Sequence, residues 1–427
     1  MELQTAKGAR DLPPEEKIIK NKVVSTITNV FELYGFAPLE TPILERYETL
    51  EAKYGAGAGS DVLKETFTLT DQGGRRLGLR FEMTTSLGRY IAQNPSLKLP
   101  FKVYQVGNVF RDGPIKLGRE REFWQCDADT IGTNSMLAEA EQIALVCDIF
   151  RKLQFKFIVK INNRKLLDGI LMQAGITTKP KEALIAIDKL EKIGKEGVSQ
   201  ELQALGCDKK QISMVLDLLS SKYNFISLSK KINNPSWNEG RDEVQELFRY
   251  LTALKIKKFV NLDLTLVRGQ GYYTGTVIEA YLKNNNITSS IAAGGRYNNM
   301  IRGLKGEDGL EVPAVGVSFG ITPIMEQVKL QTKVQQRTMA KVLIVPLNTI
   351  SKSLQIAQEL RSNGIATDFV LGKKGISKNL EYADAVGIPY VAIIGEKELK
   401  KNKILIKEMS SGTEQLLLLK DVVKKLA

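Results

Sequence analysis

Two long strand-like segments, residues 101–111 and 119–130, are joined by a short polar loop. A parallel pair would need a crossover of a dozen or more residues, so these two strands can pair only as antiparallel neighbours. A hairpin is predicted for residues 65–70 and 76–80, and further strand-like runs follow residue 260. The sequence therefore predicts an antiparallel sheet as the main body of an α+β fold.

Helical patterns flank and interrupt this sheet. Residues 15–34 have helical spacing and precede a strand containing Pro38 and Pro42, which we expect at a sheet border because proline cannot donate to a ladder. Short lysine-rich amphipathic patterns over about 178–252 predict a helical insertion. The glycine-rich run 292–297 is predicted to form a turn.

The end of the chain has a different pattern. A polar segment, 331–340, is predicted to be a linker between a first domain of residues 1–330 and a second of residues 341–427. Strand and helix patterns alternate in the second, which indicates a small α/β domain with a mostly parallel sheet.

Composition excludes several kinds of chemistry. The 427-residue chain contains no histidine, which removes Ser-His-Asp and Cys-His catalysis and histidine-ligated zinc. Three cysteines stand apart without a CxxC pair, so we expect no metal site and a reducing, cytoplasmic location. No apolar run approaches the ~20 residues that span a bilayer, and the first residues lack the apolar core of a secretory signal. We therefore expect no membrane association.

The chain is basic, with 61 Lys+Arg against 48 Asp+Glu and a formal charge of +13. Polyanionic partners such as nucleic acid are favoured by such a balance, although a lysine-rich proteome would give the same figure. Residues 341–427 hold 14 Lys+Arg and 9 Asp+Glu, so the excess is spread along the chain.

Arginines at strand ends are the strongest chemical signal. Arg111 ends one long strand, and Arg119 and Arg121 begin the next, where positions i and i+2 share a face. The same strand continues with Gln125, Asp127 and Asp129. Such a face suits an amine-bearing substrate beside a phosphate, because the arginine fork donates in pairs. An exposed strand face with salt bridges fits the spacing equally well, and spacing alone favours it.

Other segments add candidate groups. Glu82 follows a strand in L-R-F-E-M-T, and Arg268 precedes a glycine turn with Tyr272 and Tyr273, whose rings could form the wall of a pocket. Each has an ordinary structural explanation as a turn residue, core tyrosine or surface ion pair. Together, several arginine-bearing strand ends in one sheet favour a binding site.

These same stretches resemble histidyl-tRNA synthetases, a family of class II aminoacyl-tRNA synthetases, over essentially the whole chain. L-V-R-G-Q-G-Y-Y-T-G-T-V-I-E (266–279) is similar to the family's histidine-binding motif, and F-R-D-G-P-I-K-L-G-R-E-R-E-F-W-Q-C-D (110–127) is similar to class II motif 2. K-G-A-R-D-L-P-P (7–14), the Pro42 strand (motif 1) and A-G-G-R-Y (293–297) also match, and A-D-A-V-G-I-P-Y-V-A-I-I-G (383–395) resembles the anticodon-binding domain of class II synthetases.

The resemblance implies an antiparallel-sheet class II catalytic domain with a helical insertion, a C-terminal anticodon-binding domain, and a homodimer. It implies the substrates histidine, ATP with Mg²⁺, and tRNA(His). By position, Arg111 would contact the α-phosphate of ATP, and Arg268 would stabilise charge on that phosphate in the transition state. Glu82 and Thr84 would bind the α-amino group, and Gln125 and Asp129 would line the amino-acid pocket. Tyr272 and Tyr273 would recognise the imidazole. Arg119 and Arg121 would act in the region of ATP and the motif 2 loop.

Three positions depart from the family pattern. Pro323 stands about where motif 3 places an arginine, Gly271 where an aspartate is common, and Asp129 where a longer glutamate is often found. We expect shifted affinities but retained activity. The missing arginine leaves open a synthetase-like, histidine-binding regulatory subunit of ATP phosphoribosyltransferase. A synthetase for threonine, proline or glycine is a third alternative, disfavoured by Tyr272, Tyr273 and Gln125.

Overall fold

The computed structural model describes residues 3–52, 61–115, 120–220, 224–267, 273–285, 287–305, 311–331, 337–372 and 375–426. The chain divides into two compact units, residues 1–10 with 23–326 and residues 11–22 with 327–427. The predicted domain boundary at 331–340 stays a prediction, since residues 332–336 lie outside the described ranges.

The strands of the first unit form two sheets. In chain order they are β1 (Ala37–Pro38), β2 (Leu44–Arg46), β3 (Thr68–Thr70), β4 (Arg76–Leu79), β5 (Phe101–Phe110), β6 (Glu122–Ile131), β7 (Phe157–Asn163), β8 (Val260–Leu262), β9 (Thr276–Leu282), β10 (Ala292–Arg296) and β11 (Ala314–Gly320). The large sheet has the order β1-β5-β6-β11-β10-β9-β7-β8, and a small one has the order β2-β4-β3.

The large sheet is antiparallel at its centre and parallel at both borders. β5 and β6 pair over their full length, from Phe101 opposite Ile131 to Phe110 opposite Glu122, which confirms the antiparallel pair predicted from the sequence. β1 runs parallel to β5, and β8 runs parallel to β7. The proline-containing strand β1 lies at the edge, as its composition predicts.

Helices complete the chain up to residue 331. They are α1 (Pro14–Leu33), α2 (Tyr47–Ala52), α3 (Asp61–Lys64), α4 (Thr84–Gln93), α5 (Met136–Lys152), α6 (Arg164–Gln173), α7 (Pro180–Asp188), α8 (Leu190–Ala204), α9 (Lys209–Leu218), α10 (Phe225–Lys231), α11 (Pro235–Ala253), α12 (Met300–Lys305) and α13 (Ile321–Gln331). Helices α7–α11 form the insertion, in which Gly169 and Gly240 let α6 and α11 cross closely, since a Cβ at Gly169 would lie 2.7 Å from Trp237 Cβ.

One face of the large sheet is covered by apolar helices. Phe319 of β11 packs against Phe31 of α1 and Phe150 of α5, each with ring centroids 5.9 Å apart. Successive side chains along a strand point to opposite faces, so Ser318 belongs to the other face. The sheet thus has an apolar, helix-covered side and a side on which polar groups gather.

The glycine-rich segment predicted as a turn is instead strand β10, in the middle of this sheet between β9 and β11. The prediction was wrong because the glycines serve close packing rather than reversal of the chain. A Cβ on Gly294 would lie 2.0 Å from the carbonyl oxygen of Gly316 on β11.

The second unit contains its own sheet. Its strands are β12 (Val342–Leu347), β13 (Thr367–Phe369), β14 (Tyr390–Gly395), β15 (Lys403–Glu408) and β16 (Glu414–Leu418), in the order β13-β12-β14-β15-β16. Its helices are α14 (Ile350–Ser362), α15 (Ile376–Val386), α16 (Glu396–Lys400) and α17 (Leu419–Leu426). Buried apolar clusters lie on both faces of this sheet, one including Ile344 and the other Leu343.

The prediction of a mostly parallel sheet here was wrong. β12 runs parallel to β13 and β14, but β14-β15-β16 is antiparallel. The connection between β15 and β16 is short, and a short connection joins antiparallel strands. Within the described ranges, no helix of either unit is long and apolar enough to cross a membrane.

Candidate active site

Acidic and amide side chains gather on the open face of the large sheet. Gln125, Asp127 and Asp129 alternate along β6 and so point to the same side. In the sheet register, Asp127 lies opposite Ser318 of β11, and Asp129 lies opposite Gly316. Asp127 is 3% exposed and Asp129 4%. The centre of the sheet therefore holds two buried carboxylates side by side.

Asp129 is fixed by a donor on one side and by a missing side chain on the other. The hydroxyl of Tyr297, a buried residue next to β10, donates a hydrogen bond to Asp129 Oδ1. A Cβ on Gly316 would lie 1.9 Å from that same oxygen. Glycine at 316 is thus a spatial requirement of the Asp129 carboxylate.

A cavity of about 40 Å³ opens above these residues. Its lining is Thr84, Asp127, Asp129, Tyr273, Ala293, Gly294, Tyr297, Gly316, Val317 and Ser318. Three residues predicted for the site from the sequence, Thr84, Asp129 and Tyr273, are therefore brought together. They come from α4, β6 and the start of the segment before β9, which are far apart in the chain.

Glu82 organises the beginning of α4. Its carboxylate accepts hydrogen bonds from the Thr84 backbone N–H at 2.5 Å and the Thr85 backbone N–H at 3.1 Å, and also from the Thr85 hydroxyl. A carboxylate is stabilised at a helix N-terminus because the first N–H groups have no partner within the helix. Glu82 consequently fixes Thr84 at the mouth of the cavity.

Some acceptors on this face have no donor among the described residues. Gln125 Oε1 and Asp127 Oδ1 are buried without a hydrogen-bond partner in that part of the chain. Burial and the neighbouring Asp129 carboxylate raise the pKa of Asp127 well above its usual range, with a hydrogen bond from Ser318 and the charge of Arg111 opposing the rise. A group carrying N–H donors and positive charge would suit this face.

Arg111 lies just beyond the end of β5, held between two aromatic rings. Its guanidinium carbon is 4.3 Å from the ring centre of Phe81 and 4.9 Å from that of Phe123. Its Nε donates to the Phe81 carbonyl oxygen at 3.3 Å. Stacking of this kind fixes the plane of an arginine that is partly exposed, which suits it to bind an anion in one orientation.

Arg121 contacts the connection between β5 and β6. It forms an ion pair with Asp112 at 2.8 Å and donates to the Gly113 carbonyl oxygen at 3.2 Å. Its aliphatic part packs against Gly8, where a Cβ would lie 2.6 Å from Arg121 Cγ. Arg121 therefore joins the N-terminal segment to the connection between β5 and β6, and it does not line the cavity.

Three predicted site residues, Arg119, Arg268 and Tyr272, lie outside the described residues. Pro323, at the expected motif 3 arginine position, is the third residue of α13. Proline is tolerated there because the first turn of a helix needs no backbone donor. It lies against Gly320, which is opposite Gln125 in the sheet register.

Arg80 is a site-supporting residue that sequence reasoning did not select. It is 4% exposed, and it donates to the Asn108 carbonyl oxygen and the Thr41 carbonyl oxygen, each at 2.8 Å. A Cβ on Gly107 would lie 2.2 Å from Arg80 Nη2. Its position in L-R-F-E-M-T gave no signal of burial, because charged side chains are buried only where the fold supplies partners.

Asp127 was likewise noted along its strand but not selected. The signal was its place between Gln125 and Asp129 at alternate positions. Within the described ranges, no group of three acidic or cysteine side chains is arranged to hold a metal ion. The site that these residues build is therefore one of hydrogen-bond acceptors next to a stacked arginine.

Comparison with known proteins agrees with this geometry. A family model described as histidyl-tRNA synthetase matches residues 8–324, and one described as an anticodon binding domain matches residues 341–427. The chain is 42% identical to histidine–tRNA ligase 1 of Bacillus cereus, over 97% of each chain. The crystal structure of histidyl-tRNA synthetase from Nostoc superposes with a TM-score of 0.87 at 29% identity, covering 100% of this chain and 99% of that one.

A more distant structure shares the fold. An ATP phosphoribosyltransferase regulatory subunit/histidyl-tRNA synthetase from Bacillus halodurans matches with a TM-score of 0.75 at 22% identity, over 92% of this chain and 98% of that one. At this identity the likeness concerns the fold alone.

The antiparallel sheet with its polar open face defines the catalytic domain of a class II aminoacyl-tRNA synthetase, followed by an anticodon-binding domain. The chain belongs to the histidyl-tRNA synthetase family, and is thus an aminoacyl-tRNA ligase. The family and fold predicted from the sequence are confirmed.

Proposed function

We propose that the protein activates histidine with ATP to give histidyl-adenylate and pyrophosphate, and then transfers the histidyl group to the 3′ end of tRNA(His). The observation that carries the proposal is the family match over residues 8–324 together with the acceptor-lined cavity that this same region builds. The proposal needs no histidine side chain, because the work falls to carboxylates, amides, tyrosines and arginines.

In the activation step the histidine carboxylate attacks the α-phosphorus of ATP and pyrophosphate leaves. Arg111 would contact the α-phosphate, and its stacking between Phe81 and Phe123 keeps it in place before the substrate arrives. Donors that need no rearrangement stabilise developing charge most effectively. Arg268 would assist at the same phosphate, and Arg119 and Arg121 would serve ATP and the motif 2 loop.

The amino-acid side of the reaction falls to the cavity. Glu82 and Thr84 would hold the α-amino group, while Gln125 and Asp129 would line the pocket. Tyr272 and Tyr273 would recognise the imidazole. Support comes from the shared cavity lining of Thr84, Asp129 and Tyr273, and from the Glu82 contacts that fix Thr84.

Mg²⁺ would accompany the ATP triphosphate and neutralise part of its charge.

For tRNA(His) we propose that the anticodon-binding domain and the insertion supply phosphate contacts. The excess of Lys+Arg over Asp+Glu in residues 341–427, 14 against 9, supports this. Affinity should then fall with salt, with a slope of log K against log salt of roughly −0.7 to −0.9 for each phosphate contact.

We also infer a homodimer and a cytoplasmic location. The motif 1 region exposes large apolar side chains, with Leu33 74%, Ile43 41% and Leu44 47% exposed. Exposed apolar side chains grouped near sheet edges favour an interface. Among the described residues, Cys126, Cys147 and Cys207 are not joined by disulfide bonds, which suits a reducing compartment.

Amino-acid-dependent ATP–pyrophosphate exchange tests the proposed activity. Each standard amino acid is offered singly to the purified full chain, and we expect exchange with histidine. Exchange that depends on another amino acid, and not on histidine, would contradict histidine as the substrate.

The second candidate is a histidine-binding regulatory subunit, favoured by Pro323 at the motif 3 arginine position. It predicts histidine binding without exchange. The anticodon-binding domain match opposes it, so we place it second. Histidine binding with no exchange at any ATP concentration would reverse that order.

A further inference from the structure

Both ends of the segment that carries Arg268, Tyr272 and Tyr273 lie at the same end of β7. This segment, residues 263–275, connects β8 to β9, and β7 lies between those two strands in the sheet. β8 runs parallel to β7 and β9 runs antiparallel to it. The last residue of β8 and the first of β9 therefore both lie beside the carboxyl end of β7.

Asn162, the second-last residue of β7, holds the first end of this segment. Its side-chain amide nitrogen donates to the carbonyl oxygen of Leu266 at 2.9 Å and to that of Leu264 at 3.3 Å. Its Oδ1 accepts from the backbone N–H of Asn163 at 2.8 Å. Asn162 is 0% exposed, so its amide is satisfied entirely by main-chain groups. Leu266 stands two residues before Arg268.

Main-chain contacts complete the attachment of the segment to β7. The backbone N–H of Asp263 donates to the Ile161 carbonyl oxygen at 2.8 Å. At the other end, the backbone N–H of Arg164, just after β7, donates to the Gly275 carbonyl oxygen at 2.9 Å. Of the contacts at the first end, those of Asn162 reach the residue nearest to Arg268 in the chain.

We propose that Asn162 is a positioning residue for Arg268 and acts by holding the main chain of residues 264–266. The inference rests on the proposed function, in which Arg268 stabilises charge on the α-phosphate, and Asn162 itself needs no contact with a substrate. A preorganised cation stabilises a transition state because it already lies where the charge develops. Misplacement of such a group by about 1 Å can cost on the order of 100-fold in rate.

A double-mutant cycle separates this role from a merely structural one. Histidine-dependent ATP–pyrophosphate exchange by the full chain is measured for wild type, Asn162→Ala, Arg268→Ala and the double variant. We expect Asn162→Ala alone to lower kcat roughly 10- to 100-fold. In the Arg268→Ala background the same substitution should lower kcat by less than about threefold, because the group that Asn162 positions is absent.

Asn163→Ala is the matched control. Asn163 is also 0% exposed, but its side chain donates to Glu243 of α11 at 2.6 Å and accepts from the Lys165 backbone N–H of α6 at 2.9 Å. This variant should lose stability, because a helix cap is removed, and should keep kcat within about threefold. Equal decreases in kcat in the two single variants would overturn the proposal. So would an equal effect of Asn162→Ala with and without Arg268.

Hydrogen exchange tests the attachment without catalysis. The backbone N–H of Leu266 donates to the Asp263 carbonyl oxygen at 3.0 Å, and that of Thr265 donates to the Asp263 carboxylate at 3.0 Å. Asn162→Ala should accelerate exchange of these two amide protons roughly tenfold, because the main chain that carries them is no longer held. Asn163→Ala should leave their exchange unchanged.

These measurements distinguish failure of the inference from failure of the proposed function. If wild type activates another amino acid, the cycle is run with that amino acid. If it activates none, the proposed function fails, and unaltered hydrogen exchange in Asn162→Ala would still overturn the role of Asn162. Asn162→Asp keeps the side-chain volume and the accepting oxygen but lacks the amide donors, so it replaces Asn162→Ala if that variant does not fold.

Discussion

Gly316 is the residue at which the site has least room. The Asp129 carboxylate occupies the place where a side chain would begin, since its Oδ1 lies only 1.9 Å from the position that a Cβ at 316 would take. Any other residue at 316 must displace Asp129 or the strand. The position of the Asp129 carboxylate between β6 and β11 thus requires glycine at residue 316.

Gly316→Ala should raise the KM for histidine in the ATP–pyrophosphate exchange reaction, because the methyl group would displace the Asp129 carboxylate. Removal of one charge-assisted hydrogen bond of about 1.5 kcal/mol corresponds to roughly tenfold in affinity. Exchange kinetics at varied histidine concentration provide the measurement. Gly372→Ala is the control, since no atom of the described residues lies within 4 Å of its Cβ position. Equal KM values for the two variants would contradict the spatial role of Gly316.

The ion pair between Arg296 and Glu139 is a second residue-scale feature. The two side chains are 6% and 0% exposed, and they meet through two hydrogen bonds, at 2.5 and 2.7 Å. Removing one partner of such a pair leaves an uncompensated buried charge. We expect Glu139→Gln to lower the free energy of unfolding by about 3–5 kcal/mol.

Urea unfolding of Glu139→Gln is compared with that of Glu201→Gln. Glu201 pairs with Lys189 at 2.7 Å, but these side chains are 36% and 43% exposed. An exposed pair contributes less than about 1 kcal/mol. Similar decreases in the free energy of unfolding in both variants would show that burial does not determine the strength of the Arg296–Glu139 ion pair.

Asp127 should also give stability a distinctive pH dependence. Burial and Asp129 raise the pKa of Asp127 in the folded state, while a hydrogen bond from Ser318 and the charge of Arg111 oppose the rise. A raised carboxyl pKa means that the folded state binds the proton more tightly than the unfolded one does. The carboxyl therefore favours folding below about pH 3.9, the unfolded value, and this advantage declines as pH rises to the folded pKa.

Unfolding curves for wild type and Asp127→Asn across pH measure this dependence. Asp127→Asn should be the more stable at pH 7, and the difference should shrink as the solution is made more acidic. A difference that grows on acidification would mean that the carboxylate is paired in the free protein.

At the scale of elements, alternation and length predicted most of the fold. The β5–β6 pair, helix α1 and the proline strand at the sheet edge followed from local pattern and backbone constraints. Segment 292–296 could not be predicted, because its glycines are explained by the approach of β11, which is remote in sequence. The combination of parallel and antiparallel pairs in the C-terminal sheet was missed for a similar reason. The direction of a strand depends on the strand it pairs with and not on its own residue pattern.

The site was predictable to the extent that strand alternation placed Gln125, Asp127 and Asp129 on one face. The sequence could not predict which of these acceptors already receive a hydrogen bond from another part of the protein. Tyr297, the residue after β10, donates to Asp129, and the backbone of α4 donates to Glu82. Those partners exist only once the chain has folded.

Helix α13 carries the clearest departure from the family pattern. Pro323 fits its first turn and lies against Gly320, on the strand next to Gln125. Pro323→Arg should lower the KM for ATP about tenfold by adding a phosphate-binding fork, whereas Pro323→Ala should leave it within about twofold. Exchange at varied ATP concentration measures both. An unchanged KM in Pro323→Arg would indicate that another arginine already binds the γ-phosphate.

At the scale of the whole molecule, the two compact units should separate two activities. The candidate site lies within the first, and the anticodon-binding match covers residues 341–427. Deleting 341–427 should retain histidine-dependent exchange and weaken tRNA(His) binding. The slope of log K against log salt should become shallower by roughly 0.7–0.9 for each phosphate that the shortened chain no longer binds.

Filter binding over a range of salt concentrations tests the deletion. Residues 11–22 belong to the second unit, so circular dichroism must first show that the shortened chain keeps its helices. Unaltered tRNA affinity in a folded, exchange-active deletion variant would show that residues 341–427 do not contribute to tRNA binding.

The Arg80 guanidinium ties Thr41, near the outer border of the sheet, to Asn108 on β5, and the chain runs directly from Arg80 to Glu82. Thr41 stands two residues before the apolar side chains Ile43 and Leu44, which are exposed to solvent. A displacement of that border would therefore act on Arg80, two residues before the Glu82 that holds Thr84 at the mouth of the cavity. One buried cation thus connects the exposed apolar border of the sheet with the segment that shapes the candidate site.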